Sequence, residues 1–259
     1  MKSRISKKFL SLKKQNNKAF IAYIMAGDPS IQRTKEMVRI LEDCGVDIIE
    51  LGVPFSDPLA DGPTIQAAAQ RALEDGTTLH TVIDLVADLR KTTQIPIILM
   101  TYYNPIFKYG EETFVEDACT AGVDGIIVPD LPPDEAEVLL KLTKTKPFDL
   151  IFLLAPTSTE DRIEKVSKAS GGFIYYVSIT GITGSKLSLD PAIESHMNRI
   201  RAVSDTPIAV GFGIATPDEA SLVARFADGV IIGSAIVKKV NESDEDMKTY
   251  LLSLREGIR

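Results

Sequence analysis

Two carboxylates stand close together in a stretch rich in proline and glycine. Glu50 opens the run ELGVPFSDPLADGP, and Asp61 lies near its end. Glu50 also falls in a short apolar segment, residues 47–51, of the kind that forms a strand buried on both faces. A carboxylate among apolar side chains either costs a large desolvation free energy or takes up a proton. With a raised pKa, Glu50 could donate a proton near neutral pH, which makes it a candidate general acid and base.

Each of these acids also has a structural interpretation. Glu50 could pair with a buried arginine or lysine. Asp61 could belong to a turn that leads into the helix predicted for residues 64–73 and caps its N-terminus. This segment alone leaves both alternatives open.

Glycine-rich segments follow three later strand-like runs. They are SITGITGS at residues 178–185, GFGIATP at residues 211–217 and GSAIV at residues 233–237. Glycines let backbone N–H groups approach a bound anion closely, and a helix that begins after Gly233 adds donors and the positive end of its dipole. Together the segments predict a phosphate site, although a Gly-Ser pair can also be a plain helix entry.

Apolar runs and amphipathic segments alternate along the chain. The runs that predict strands are residues 20–25, 47–51, 95–100, 125–128, 150–154, 173–177, 207–210 and 229–232. Eight alternations indicate the α/β class and a single (β/α)8 TIM barrel over residues 1–259, with an extra N-terminal helix. The alternative is an open doubly wound sheet, which often carries a glycine fingerprint after its first strand. The sequence AGDP at residues 26–29 is no such fingerprint.

In a barrel of this kind, chemistry takes place at the carboxyl ends of the strands. Glu50, Asp61 and the three glycine-rich segments all fall there. Apolar and aromatic residues on or just beyond the strands are candidates for a pocket that suits a flat aromatic body. These pocket candidates are Phe20, Met100, Tyr102 and Phe212.

The composition argues against several classes of protein. The 259 residues include 29 Lys and Arg and 36 Asp and Glu, and the net charge of −7 disfavours a nucleic-acid surface. No apolar stretch is long enough to span a bilayer, and the basic N-terminus lacks the apolar segment of a secretory signal, so we expect a cytoplasmic protein. Two isolated cysteines and two histidines without partners at ligand spacing predict neither a disulfide framework nor a metal site.

The motifs, taken in chain order, resemble those of the tryptophan synthase α subunit family. The resemblance spans nearly the whole chain and rests on ELGVPFSDPLADGPTIQ at residues 50–66, YYNP at 102–105, GITG at 181–184, GFGI at 211–214 and GSAIV at 233–237. It implies a carbon–carbon lyase that cleaves indole-3-glycerol phosphate to indole and glyceraldehyde 3-phosphate. It also implies that indole passes to a pyridoxal-phosphate β subunit that makes L-tryptophan, in an α2β2 heterotetramer, and that this chain itself needs no cofactor.

The resemblance assigns roles to single residues. Glu50 matches the acid and base that protonates indole C3 and helps to remove the proton of the glycerol hydroxyl. Asp61 matches the carboxylate that receives the indole N–H and stabilises the positive charge that grows on the ring. Tyr175 matches a tyrosine near the substrate. The positions that match phosphate-binding residues are Gly184, Gly213, Gly233 and Ser234.

Two positions depart from the family pattern, and two other functions stay open. Ile179 stands where some members carry an arginine, and Met25 stands where many have threonine. A stand-alone lyase of the same fold is one alternative. The other is a silent scaffold that binds phosphate and activates a partner, and the presence of both Glu50 and Asp61 argues against it.

Overall fold

Parallel strands form the sheet at the centre of this protein, whose computed structural model describes residues 3–178, 191–211 and 213–258. Within these ranges the strands are β1 (Ala19–Met25), β2 (Ile48–Gly52), β3 (Ile97–Met100), β4 (Gly125–Ile127), β5 (Asp149–Ile151), β6 (Leu153–Leu154), β7 (Ile174–Val177), β8 (Ile208–Gly211) and β9 (Gly229–Ile232). Each strand pairs in parallel with its neighbours, in the order β5-β4-β3-β2-β1-β9-β8-β7-β6.

The two ends of this order meet, because β5 and β6 are separated in the chain only by Phe152. The Phe152 carbonyl accepts a hydrogen bond from the Tyr175 N–H at 3.1 Å, so the pairing continues across the break. β5 and β6 are therefore one interrupted barrel strand. The prediction of eight strands closed into a TIM barrel is confirmed.

Helices surround the strands, most of them on the outside of the barrel. They are α1 (Arg4–Lys14), α2 (Ile31–Asp43), α3 (Pro63–Glu74), α4 (Leu79–Leu89), α5 (Tyr103–Tyr109), α6 (Glu111–Ala121), α7 (Glu137–Thr143), α8 (Glu160–Ala169), α9 (Pro191–Val203), α10 (Pro217–Ala224), α11 (Ser234–Lys239) and α12 (Asp244–Ile258). Side-chain oxygens of Ser30, Thr78, Thr159 and Thr216 cap α2, α4, α8 and α10. None of the described helices combines the length and apolarity that crossing a bilayer requires.

The strands divide the core into two layers, since successive side chains point to opposite faces. On β1, Phe20 and Ile24 pack outward among residues of the surrounding helices. Ile21 points inward and packs with residues such as Ile48 and Ile98. The predicted N-terminal helix, α1, adds Ile5, Phe9 and Leu12 to this inner cluster, and the Phe9 and Phe173 rings lie 5.7 Å apart. α1 therefore packs against the inner layer of the barrel.

Three aspartates just before β2, β4 and β9 organise the amino ends of the strands, which we call the lower rim. Asp47, Asp124 and Asp228 each accept a hydrogen bond from a backbone N–H at a neighbouring strand. The donors are Phe20 at 3.0 Å, Ile97 at 2.9 Å and Ile208 at 2.9 Å, respectively. This repeated contact ties each strand to the next at the same level of the barrel.

Each lower-rim aspartate also meets a basic side chain. The pairs are Asp47 with Arg255 at 2.9 Å, Asp124 with Arg90 at 2.7 Å and with Arg4 at 2.9 Å, and Asp228 with Arg201 at 3.5 Å. Asp47 and Asp124 are buried, and a buried carboxylate that is both hydrogen-bonded and ion-paired is compatible with a stable core. The lower rim is thus a structural element.

Candidate active site

A cavity of about 360 Å³ opens at the carboxyl ends of the strands. Its walls come from β1, β2, β3 and β7, from the loop after β2, and from the segments that follow β8 and β9. The predicted site residues that line it are Glu50, Asp61, Met100, Tyr175, Gly213, Gly233 and Ser234. The fold therefore brings the two acids and part of the predicted phosphate site to one cavity.

Glu50 lies in the middle of β2, beside Tyr23 of β1 and Ile98 of β3 in the strand register. Its neighbours Ile49 and Leu51 belong to the outer cluster, so the alternation of the strand turns Glu50 inward. The residue is 1% exposed, and neither carboxyl oxygen has a hydrogen-bond partner among the described residues. Burial raises the pKa of Glu50 to about 8. A carboxyl group in this state holds a proton at neutral pH and can release it.

The described residues do not show the ion pair with a buried arginine or lysine that was the structural alternative for Glu50. No arginine or lysine pairs with its carboxyl oxygens there, whereas buried acids elsewhere have such partners. A buried carboxyl group without a partner is costly for stability and is therefore a mark of a functional site.

Asp61 lies on the loop between β2 and α3, with its side chain turned into the cavity. Its Oδ2 atom accepts a hydrogen bond from the Tyr102 hydroxyl at 3.1 Å. Burial raises the pKa of Asp61 above its ordinary value, and this hydrogen bond offsets part of the rise. The N-cap of α3 is Gly62, so Asp61 does not cap the helix, but its backbone N–H does close a turn onto the Pro58 carbonyl at 3.1 Å.

Two tyrosines share the inner wall of the cavity. Burial, together with the negative charges of Glu50 and Asp61, raises the pKa of Tyr23 and of Tyr175 well above 10, so both phenols stay neutral. Each hydroxyl lies over a glycine at a strand end. A Cβ atom added to Gly52 would lie 2.1 Å from the Tyr23 hydroxyl oxygen, and one added to Gly211 would lie 2.5 Å from that of Tyr175.

The prediction that Phe20 lines the pocket is wrong. Its side chain is fully buried in the outer cluster with Ala22 and Ile24. The β1 residue that reaches the cavity is Tyr23, which is on the opposite face of the strand. Side chains alternate along β1, but because nearly all of them are apolar, the sequence does not reveal which face of the strand lines the cavity.

Of the two predicted pocket residues near the end of β3, Met100 lines the main cavity and Tyr102 lines an adjoining one. Met100 ends β3 and lines the cavity directly. Tyr102 stands beside Asp61, where both line a small adjoining pocket. Its hydroxyl contacts the loop that carries Asp61, so Tyr102 is in contact with a candidate catalytic residue.

Gly213, Gly233 and Ser234 all line the cavity. Gly213 has a φ of +76°, a conformation that L side chains rarely adopt, and Ser234 begins α11 directly after Gly233. Lys238, one turn further along α11, supplies the positive charge among the described residues of the lining. The predicted positions Gly184 and Phe212 lie outside the described residues.

Comparisons with known proteins agree with this geometry. The model of the family described as tryptophan synthase alpha chain matches residues 9–257. The tryptophan synthase alpha chain of Citrifermentans bemidjiense is 48% identical over 261 residues, which cover 99% of this chain and 98% of the relative. The one from Geobacter sulfurreducens is also 48% identical over 261 residues, with 99% of both chains covered.

The chain belongs to the tryptophan synthase alpha chain family.

Solved structures with the same fold support this membership. The tryptophan synthase subunit alpha of Legionella pneumophila is 38% identical, with a TM-score of 0.91 over 100% of this chain and 99% of that chain. A chain in the structure of Mycobacterium tuberculosis tryptophan synthase is 37% identical, with a TM-score of 0.93 over 100% of this chain and 99% of that one. Members of the tryptophan synthase alpha chain family cleave indole-3-glycerol phosphate, and this chain is accordingly a carbon–carbon lyase.

Tyr23 and Lys238 are among the cavity residues that the sequence did not predict. Tyr23 lies in an apolar strand, and the sign that it faces the cavity is its pairing with Glu50 in the strand register. Lys238 lies in the short helix that begins at Ser234. Its spacing of four residues from Ser234 places the two side chains on one helix face. Within the described residues, no group of His, Cys, Asp and Glu side chains is arranged to hold a metal ion.

Proposed function

We propose that this protein is the α subunit of a tryptophan synthase and that Glu50 and Asp61 carry out the cleavage of indole-3-glycerol phosphate. The observation that supports these roles is the buried carboxyl group of Glu50, which has no hydrogen-bond partner among the described residues and lies in the same cavity as Asp61. The remaining lining suits the rest of the substrate. Ile65, Met100 and Ile231 offer apolar surface to an indole ring, and Gly213, Gly233 and Ser234 offer a polar wall to a phosphate.

Glu50 begins the reaction as an acid. Because burial raises its pKa to about 8, it is protonated at neutral pH and can transfer the proton to indole C3. This forms a C3–H bond and leaves the positive charge on the ring nitrogen. The ring is then able to accept the electron pair of the bond between C3 and the glycerol carbon.

Cleavage of that bond returns the proton to the enzyme. As the electron pair moves into the ring, the hydroxyl on the departing glycerol carbon becomes the aldehyde of glyceraldehyde 3-phosphate, and its proton goes to the Glu50 carboxylate. Glu50 therefore ends the cycle protonated, as it began. The products are neutral indole and the aldehyde, so protons and electrons balance.

Asp61 acts on the positive charge of the indole ring. Its carboxylate receives the indole N–H, and its negative charge stabilises the positive charge that develops when C3 is protonated. Burial raises the pKa of Asp61, and the hydrogen bond from Tyr102 opposes this rise and so favours the ionised form that this role needs. Tyr175 lines the same cavity and contributes to substrate positioning.

The partner of this chain is a tryptophan synthase β subunit, in an α2β2 heterotetramer in the cytoplasm. Pyridoxal phosphate belongs to that partner, and the chemistry above uses no cofactor in this chain. The carboxyl ends of the strands offer a surface for the contact, since Leu59 is 95% exposed and Phe107 is 65% exposed there. The family membership and the likeness to chains of tryptophan synthase structures support this proposal.

The test is indole release from indole-3-glycerol phosphate by the full chain, measured with and without a pyridoxal-phosphate β subunit. We expect activity that rises when the partner is present and that is lost in Glu50→Gln. Equal activity with and without the partner would indicate a stand-alone lyase. No indole from the wild type, even with the partner bound, would replace the lyase with a silent scaffold.

A further inference from the structure

Tyr102 joins the end of β3 to the loop that carries Asp61. The Ala60 N–H donates a hydrogen bond to the Tyr102 hydroxyl oxygen at 2.8 Å, and the same hydroxyl donates to Asp61 Oδ2 at 3.1 Å. The Tyr102 ring packs against Phe55, on the same loop, with the ring centroids 5.3 Å apart. One side chain thus makes three contacts with a single loop.

The two hydrogen bonds fix each other's direction. A phenol has one proton to donate and can accept through its oxygen. Because the backbone N–H of Ala60 occupies an acceptor site on that oxygen, the phenol proton is available for Asp61. The contact uses Oδ2 of Asp61. Within the described residues no donor reaches Oδ1, so this oxygen can receive the substrate N–H.

Among the described residues the loop has few other contacts, one of which is a hydrogen bond from Gln66 Nε2 to the Asp61 carbonyl at 2.8 Å. Leu59 is 95% exposed, and the backbone contacts of residues 57–61 are short-range turns. In the described part of the chain, Tyr102 is the side chain from another strand end that hydrogen-bonds residues 54–62. Tyr102 itself is 7% exposed and follows Thr101, whose N–H donates to the Ile127 carbonyl of β4 at 3.1 Å. Tyr102 therefore ties the loop after β2 to the end of β3.

We propose that Tyr102 is the positioning residue for Asp61, whose side chain it holds so that the remaining carboxylate oxygen faces the ring N–H of the substrate. This inference rests on the proposed function, because it assumes that Asp61 receives that N–H. Tyr102 acts through Asp61 and takes no part in the proton transfers of Glu50.

The test compares Tyr102→Phe with Tyr103→Phe in the full-length chain. Tyr102→Phe keeps the ring and its packing on Phe55 but removes both hydrogen bonds to the loop. Tyr103→Phe removes the same atom from the next residue, whose side chain lies outside the cavity lining, and serves as the matched control. Thermal unfolding of both variants establishes that they are folded.

The readout is the dependence of binding on the ring N–H. The probes are 3-(indol-3-yl)propyl phosphate and its benzofuran counterpart, in which oxygen replaces N–H. We expect the wild type and Tyr103→Phe to bind the indole probe about tenfold or more tightly than the benzofuran probe, as a hydrogen bond to a charged group predicts. In Tyr102→Phe this ratio should fall below about threefold, with indole release reduced about tenfold.

The outcomes separate this inference from the proposed function. If Tyr102→Phe weakens both probes equally and keeps the wild-type ratio, Tyr102 only supports the fold and the inference is wrong, while the lyase proposal stands. If the wild type shows no preference for the N–H probe although it releases indole, the role of Asp61 fails and the inference with it. Absence of indole release from the wild type would overturn the proposed function.

Discussion

Asp124 at the lower rim and Glu50 at the cavity are both buried acids, but they differ in their partners. At the lower rim, Asp124 is 1% exposed, accepts a backbone hydrogen bond and pairs with Arg90 at 2.7 Å. At the cavity, Glu50 is also 1% exposed and has no such partner among the described residues. Burial is the same at the two positions, so the partners make the difference. A satisfied carboxylate contributes to structure, and an unsatisfied one is available for chemistry.

Position at the carboxyl ends of the strands does not by itself leave an acid unpartnered. Asp28 follows β1 at the same end of the barrel and is 2% exposed. Its two oxygens accept hydrogen bonds from Arg71 at 2.7 and 2.8 Å. A bidentate pair of this kind fixes α3 beside β1. Whether a buried acid is free for chemistry therefore depends on its partners as well as on the end of the barrel at which it lies.

The largest expected effect is on activity at Glu50. Glu50→Gln keeps the shape of the side chain and removes the transferable proton, so indole release should fall about 10²- to 10⁴-fold. The melting temperature should not decrease, because the amide avoids the desolvation of a buried charge. Indole release and thermal unfolding measure the two effects. Loss of the fold would show that Glu50 belongs with the acids of the lower rim.

The opposite pattern is expected at Asp124. Asp124→Asn leaves Arg90 in a largely buried position without its counter-charge, which should lower the free energy of unfolding by about 3 to 5 kcal/mol. Indole release per folded molecule should change little, because Asp124 lies at the lower rim. Denaturant unfolding and an activity assay at low temperature give both values. A stable variant with low activity would break the contrast between the two ends.

A pH series sharpens the comparison at Glu50. Its pKa is about 8 in the folded chain and near 4.5 when unfolded, so between these values the folded state binds the extra proton. Stability from this group is therefore greatest below about pH 4.5 and is lost as pH rises to 8, by about 1.4 kcal/mol per pH unit. Glu50→Gln has no titratable group at this position, so its stability does not fall with pH for this reason. Its stability advantage over the wild type should grow from pH 5 to pH 8, and a constant difference would show that the pKa is not raised.

Gly52 offers a smaller test of how closely the cavity is packed. In Gly52→Ala the added Cβ atom lies 2.1 Å from the Tyr23 hydroxyl oxygen, so the ring must move, at a cost of about 1 to 3 kcal/mol. Gly62→Ala is the matched control, because its added Cβ meets nothing within 4 Å. We expect the control to lose only about 0.5 kcal/mol, because Gly62 is the N-cap of α3 and alanine is less favoured there than glycine. Similar unfolding free energies for the two variants would contradict the close contact at Gly52.

The smallest effect is expected at Lys238. The cations of the lower rim are paired with acids, whereas Lys238 faces the cavity that is proposed to bind a phosphate. Lys238→Met should raise the KM for indole-3-glycerol phosphate by up to about fivefold at low salt, and less at high salt, as for an exposed charge. Lys239→Met changes the net charge equally, but Lys239 contacts Glu242 at 2.9 Å. Equal shifts in both variants would assign the effect to net charge.

Much of the architecture could be predicted from the pattern of residues. Eight apolar runs separated by amphipathic segments require parallel strands covered by helices, and this placed Glu50, Asp61 and the glycine-rich segments at one end of the barrel. The errors came from features that local patterns do not contain. Phe20 was assigned to the pocket because β1 is apolar on both faces, and the break at Phe152 leaves no mark in a continuous apolar run.

The sequence by itself determined the barrel, the end at which the site lies and the family, because strand and helix periodicities and the run at residues 50–66 are local properties. Only the tertiary structure decided which acids have partners. Asp28 meets Arg71 and Asp61 meets Tyr102 across more than 40 positions of chain, whereas Glu50 meets no partner in the described residues. Such pairings depend on how distant segments pack around the closed sheet, and a buried carboxyl group takes its charge state from that packing.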